Sequence, residues 1–146
     1  KYDVITIDPP PPIFASGSGL LYSSEFLRLV KGRLSPGGIL AHWIPDGDGV
    51  TRRSIINAIK YNFKNIIIYQ SLQGWGYHIL ASDSPIAPMT EQGFVRSMPA
   101  LAAEDLKEWW PAGTTIEKLA AISVRRIPER SIMPDDRPDL DPRMPS

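Results

Sequence analysis

Between residues 4 and 69, short β-branched runs alternate with stretches of helical apolar spacing. That alternation restricts the chain to folds built on a parallel sheet with helical crossovers. The first run, Val4-Ile5-Thr6-Ile7, is stopped at once by Asp8 and by Pro9, Pro10, Pro11 and Pro12, and so reads as a buried strand. From Ser23 or Ser24, with Glu25 in the first turn, Phe26, Leu27, Leu29, Val30 and Leu34 recur at helical spacing until Ser35-Pro36-Gly37-Gly38 ends the pattern. Ile39-Leu40-Ala41-His42-Trp43-Ile44 is apolar almost throughout, as a strand buried on both faces should be. Thr51 can cap a second helix, whose Ile55, Ile56, Ile59 and Phe63 share one face, and residues 65–69 give a third strand. Residues 70–76 are too few for another crossover helix, so the strand expected over residues 77–82 should pair antiparallel.

Beyond residue 85 the pattern of regular strands stops. Residues 91–98, 103–110 and 115–121 read as short helices, separated by prolines and Gly113. Residues 125–146 carry five Arg and five Asp or Glu among five prolines, which suits an extended, solvated or surface-wrapping tail. The expected organisation is a partial α/β domain over residues 1–84, a helical trailer packed on it over 85–124, and the tail over 125–146.

Sixteen Lys and Arg balance sixteen Asp and Glu, so no long-range field draws in nucleic acid or an anionic membrane. With no Cys and only two isolated histidines, His42 and His78, the chain offers neither a disulfide framework nor a zinc-ligand set. No apolar run approaches the ~20 residues of a spanning helix, and Lys1-Tyr2-Asp3-Val4 lacks the form of a signal peptide. These features lead us to expect a soluble, cytoplasmic protein without metal.

Ligands of open α/β sheets bind beyond the carboxyl ends of the strands, which directs attention to residues 8–19, opening with Asp8, to residues 45–49 and to residues 71–76. A carboxylate directly after a strand can hold an amine and take its proton while the nitrogen lone pair faces an electrophile. It can equally do no more than accept backbone N–H groups at a strand end. Gly17-Ser18-Gly19 supplies a flexible turn in the same loop, without the glycine spacing of a phosphate-binding fingerprint.

A parallel sheet that ends in an antiparallel hairpin strand is similar to the second half of the Rossmann-like class I S-adenosylmethionine-dependent methyltransferase fold. There the four strands would be numbers 4, 5, 7 and 6 in spatial order, with strand 7 antiparallel. On that likeness the chain is expected to be the C-terminal portion of a longer protein. Tyr2-Asp3-Val4-Ile5-Thr6-Ile7-Asp8, Leu20-Leu21-Tyr22, Glu25-Phe26 and Leu34-Ser35-Pro36-Gly37-Gly38-Ile39-Leu40 together resemble the spermidine synthase family of aminopropyltransferases. Gln73-Gly74-Trp75-Gly76-Tyr77 is similar to that family's second acceptor-side loop, and Asp135-Asp136-Arg137-Pro138 to the tail of its bacterial members. The resemblance implies a polyamine-biosynthetic transferase in which Asp8 is the general base. It further implies acceptor binding by Tyr22, Trp75 and Tyr77, and a donor, decarboxylated S-adenosylmethionine or S-adenosylmethionine itself, bordered by Asp8 and Pro9.

The departures are as informative. Authentic synthases read Asp-Ser-Ser-Asp-Pro after this strand, whereas Pro11 stands here in place of the second acid, so a dicationic acceptor loses an anchor. Asp8-Pro9-Pro10 also resembles the Asp-Pro-Pro-aromatic turn of amino-group methyltransferases, with Phe14 as a displaced aromatic; a non-enzymatic scaffold is the remaining alternative. His42 and His78 are expected to be hydrogen-bonded structural residues, and Trp109-Trp110 a helix end pinned to the core. The expected partner is a small amine. If the strand at residues 4–7 lacks a neighbour on one side, self-association through that edge follows, unless the helical trailer folds over it.

Overall fold

The computed structural model describes residues 1–9, 17–72 and 74–133. Its centre is a mixed four-stranded sheet of β1 (Tyr2–Ile7), β2 (Leu34–Ile44), β3 (Asn65–Gln70) and β4 (Tyr77–Ser82), in the spatial order β1-β2-β4-β3. β1 and β2 run parallel, and β4 is antiparallel to both of its neighbours. The connection from β1 to β2 carries a short 3-10 helix, Ser18–Tyr22, and then α1 (Ser24–Arg33); α2 (Gly49–Asn62) joins β2 to β3. The chain is thus an α/β protein. Among the described residues no helix is long and apolar enough to cross a membrane.

Both crossover helices lie on one face of the sheet. Leu27 and Val30 of α1, and Ile55, Ile56 and Ile59 of α2, pack with Leu40, Ile44, Ile68, Ile79 and Ala81 in a single core. The helices are tied to each other through Asn62, whose amide donates to Ser24 Oγ at 2.9 Å and whose carbonyl accepts from Lys31 Nζ at 2.5 Å. Register fixes which side chains can join this core: Ile7, His42, Ile79 and Ile68 stand abreast across the sheet, and Trp43, His78 and Tyr69 stand abreast on the opposite face.

Ser23 caps α1 by accepting from the Phe26 N–H at 3.2 Å. The cap of α2 is Asp48, not Thr51: its carboxylate accepts from the Thr51 N–H at 2.8 Å, so the helix begins three residues earlier than expected. These hydrogen bonds to Thr51 hold the Asp48 carboxyl below its ordinary value.

Two strands are less buried than their composition suggests. β2 alternates buried residues on the helix face with half-buried ones on the other, instead of being buried on both. β1 is an edge strand, with Tyr2 61% and Val4 58% exposed: its Ile5 and Ile7 pack against the core, and nothing among the described residues pairs along its outer side.

The trailer consists of α3 (Glu91–Ser97), α4 (Ala100–Glu108) and α5 (Ile116–Ser123). Only α5 contributes buried residues, Leu119 and Ala120, and it approaches β3. α5 therefore lies toward β3, and none of the trailer pairs along the outer side of β1. Residues 125–133 are not an open tail. Arg126 bridges to Tyr69, the Ile127 N–H donates to the Ile68 carbonyl at 2.8 Å, and α6 (Glu129–Ile132) inserts Ile132 into the core. This docked segment continues the sheet beyond β3, and Lys60 pairs with Glu129 at 2.5 Å alongside it. Asp135-Asp136-Arg137-Pro138 lies outside the described residues.

Candidate functional site

At the carboxyl ends of β1 and β2, on the face opposite the core helices, lies a cavity of about 380 Å³. Asp8 enters it from the end of β1, Trp43 from β2, His78 from β4, and Ser71, Leu72 and Trp75 from the turn between β3 and β4. Leu106, Trp109 and Trp110, at the end of α4, close the remaining side. All four tryptophans of the protein line this one cavity. Two larger hollows, of about 500 and 530 Å³, lie at the β3 and β1 edges and hold none of these residues.

The turn that carries Trp75 is held by two backbone bonds at Ser71. The Ser71 N–H donates to the Gly76 carbonyl at 2.9 Å, and the Gly74 N–H donates to the Ser71 carbonyl at 2.8 Å. Gly76 has a φ of 122° and sits against Trp43 and the Ile44 carbonyl, where a Cβ has no room. This close approach brings the turn onto β2. There Trp43 Nε1–H donates to Ser71 Oγ at 3.2 Å, and Ser71 Oγ lies 3.1 Å from His78 Nε2. When His78 carries its proton on Nδ1, the serine hydroxyl donates to Nε2 and the three groups form a directed chain. Burial lowers the pKa of His78, while the nearby Asp8 carboxylate acts in the opposite sense. The cavity thus sets a carboxylate, a predominantly neutral imidazole and a hydroxyl among indole walls. Such a set can hold an ammonium and accept a proton. Among the described residues no cluster of three or more His, Cys, Asp or Glu is placed to hold a metal ion.

No protein-family model matches the chain, and no curated protein matches it.

Of the residues singled out from sequence, Asp8 and Trp75 are brought together here. Tyr22 and Tyr77 are not. Tyr22 is buried on the core side, stacked on His42 with ring centroids 5.2 Å apart. Its hydroxyl donates to the Pro9 carbonyl at 3.4 Å, and burial, followed by the Asp8 charge, pushes its pKa up to about 12. Tyr77 stands abreast of Ile44 and Gln70, on the α1/α2 face, so it packs against the core and not the cavity. Pro9 is buried, and its carbonyl anchors Tyr22 beneath the Asp8 loop. Phe14 and Gln73 lie outside the described residues.

Three expectations about bystanders are revised. His78 is hydrogen-bonded as expected, through Ser71, but its position in β4 places it on the same face as Trp43, where it also lines the cavity. Trp109 is 78% exposed and lines the cavity with Trp110 instead of pinning α4 to the core. His42 is fully buried as expected, but among the described residues neither of its ring nitrogens has a hydrogen-bond partner.

Proposed function

We propose that the chain is the acceptor-side portion of a spermidine synthase-like transferase, moving an aminopropyl group from decarboxylated S-adenosylmethionine to an amine. The observation that carries this reading is Asp8 at the carboxyl end of β1, facing the same indole-walled cavity as Trp75. In this role the Asp8 carboxylate orients the amine through its N–H and takes the proton as the new C–N bond forms and the C–S bond to the donor sulfur breaks. The indoles offer ring faces against which the amine can lie. The strand order β1-β2-β4-β3, with β4 antiparallel, supports the class I transferase fold as its frame. The uncovered edge of β1 and the exposed Val4 and Thr6 suit an arrangement in which the donor-binding half packs there.

Amine N-methylation on the same frame is the rival chemistry. It calls on the carboxylate and a backbone carbonyl together to grip the target nitrogen, and the Pro9 carbonyl beside Asp8 would have to share that role with its 3.4 Å bond from the Tyr22 hydroxyl. Aminopropyl transfer, which asks only for the carboxylate, is therefore preferred. The test is transfer of label from each donor to a panel of amines. Asp8→Asn is expected to keep the fold and lower transfer by roughly 10² to 10⁴-fold, the usual loss when a general base is removed. Full turnover in that variant removes Asp8 from the mechanism. A protein that transfers from neither donor leaves the scaffold reading.

A further inference from the structure

We infer that the amine accepted by this cavity is a monocation with an apolar body, and that dicationic polyamine precursors bind it poorly. This rests on the acceptor-site reading given above, and it concerns what the walls of that site select.

The first argument is charge. Asp8 is the one carboxylate lining the cavity among the described residues, and no other acidic residue occurs in the sequence between Asp8 and Glu25. Asp105 and Glu108 of α4 are exposed and do not line it. His78, the other titratable group in the wall, supplies no negative charge in either protonation state. A diamine that places one ammonium on Asp8 finds no second carboxylate in the wall for its other end, which gains at most a cation–π contact with an indole and no ion pair.

The second argument is the chemistry of the wall. The ring faces of Trp43, Trp75, Trp109 and Trp110 can take one ammonium by cation–π attraction, and beyond it they offer apolar surface only. Trp75 and Trp109 are 75% and 78% exposed at the mouth, which is unusual for so large an apolar side chain. A ligand with a hydrocarbon or aromatic body covers those rings; a second ammonium would sit against them. A cavity of about 380 Å³ is within the range that encloses small organic ligands.

The experiment is titration calorimetry of the protein with three probes: phenethylamine, its uncharged analogue phenethyl alcohol, and putrescine. Phenethylamine is expected to bind at least tenfold more tightly than either of the others. Asp8→Asn should erase the preference for amine over alcohol, while Trp75→Ala should weaken both aromatic probes together; circular dichroism checks that each variant is folded. Putrescine binding as tightly as phenethylamine, or folded protein that binds phenethylamine no better than the alcohol, overturns the inference. The two readings fail separately. Preferred binding of the monoamine without transfer from any donor sinks the transferase reading and leaves this one standing, whereas transfer to putrescine in preference to monoamines does the reverse.

Discussion

His42 shows what a single buried side chain can do to the pH response of this fold. It has no exposed surface, stacks on Tyr22, and is surrounded by apolar side chains of the core. Burial lowers its pKa from the ordinary 6.5 to about 4. Between those two values the unfolded chain binds a proton that the folded protein refuses, so stability is complete above pH 6.5, falls as pH drops through that value, and levels off near 4. The loss between pH 7 and pH 5 is expected to be about 2 kcal/mol. His78, whose pKa is lowered as well, adds a change of the same sign. His42→Phe isolates the buried residue: it preserves a ring for Tyr22 and removes two unpartnered nitrogens, each costly to bury. Urea melts should find this variant at least as stable as the parent at pH 7, with most of the acid sensitivity gone. An unchanged difference between pH 7 and pH 5 would show that the sensitivity arises elsewhere.

Within the β3–β4 hairpin, two glycines with positive φ do different work. Gly76 needs both its backbone angle and its lack of a side chain, since a Cβ would collide with the Ile44 carbonyl and press on the Trp43 ring. At Gly74 the nearest atom to such a Cβ is Gln70 Nε2, at 3.9 Å, so only the angle matters. Gly76→Ala is expected to cost roughly 2–4 kcal/mol and to shift the near-ultraviolet dichroism as Trp43 moves. Gly74→Ala should cost about 1 kcal/mol and leave that signal alone. Equal losses from the two would mean that the turn does not bear on β2. The strands and helices were legible because β-branched runs bounded by Asp, Pro and Gly alternate with Leu and Ile at helical spacing. The start of α2 was less so, for Asp48 and Thr51 are both competent caps and only the folded loop chooses between them. Asp8 and Trp75 could be found from their places beside strand ends. That Tyr77 faces the core and His78 the cavity is not legible locally, because facing in a strand alternates residue by residue and the pairing of β4 with β2 that sets its sense is a long-range contact. The contribution of Trp109 and Trp110 depends on where α4 comes to rest, which no local pattern records.

At the scale of the molecule the two sides of the sheet carry different burdens, one packed under α1 and α2, the other holding the cavity and, toward β1, left open. Among the described residues nothing pairs with the backbone on the outer side of β1, which lies next to the exposed Tyr2, Val4 and Leu29. We therefore expect residues 1–146 on their own, without a donor-binding half to cover this edge, to self-associate there: light scattering over a dilution series should show mass rising with concentration, and Val4→Lys should hold the segment monomeric. A monomer at every concentration, with the amides of residues 4–7 exchanging quickly, would contradict this. The confinement of every tryptophan to one cavity has a different, spectroscopic consequence. In most proteins indole emission averages over scattered environments; here, when tryptophan is excited selectively, each emitter borders the same few hundred cubic ångströms. Its spectral maximum and its quenching by iodide or acrylamide then follow the wetness and occupancy of that space, with little background from the core. The protein carries its own optical gauge of whatever enters beside Asp8.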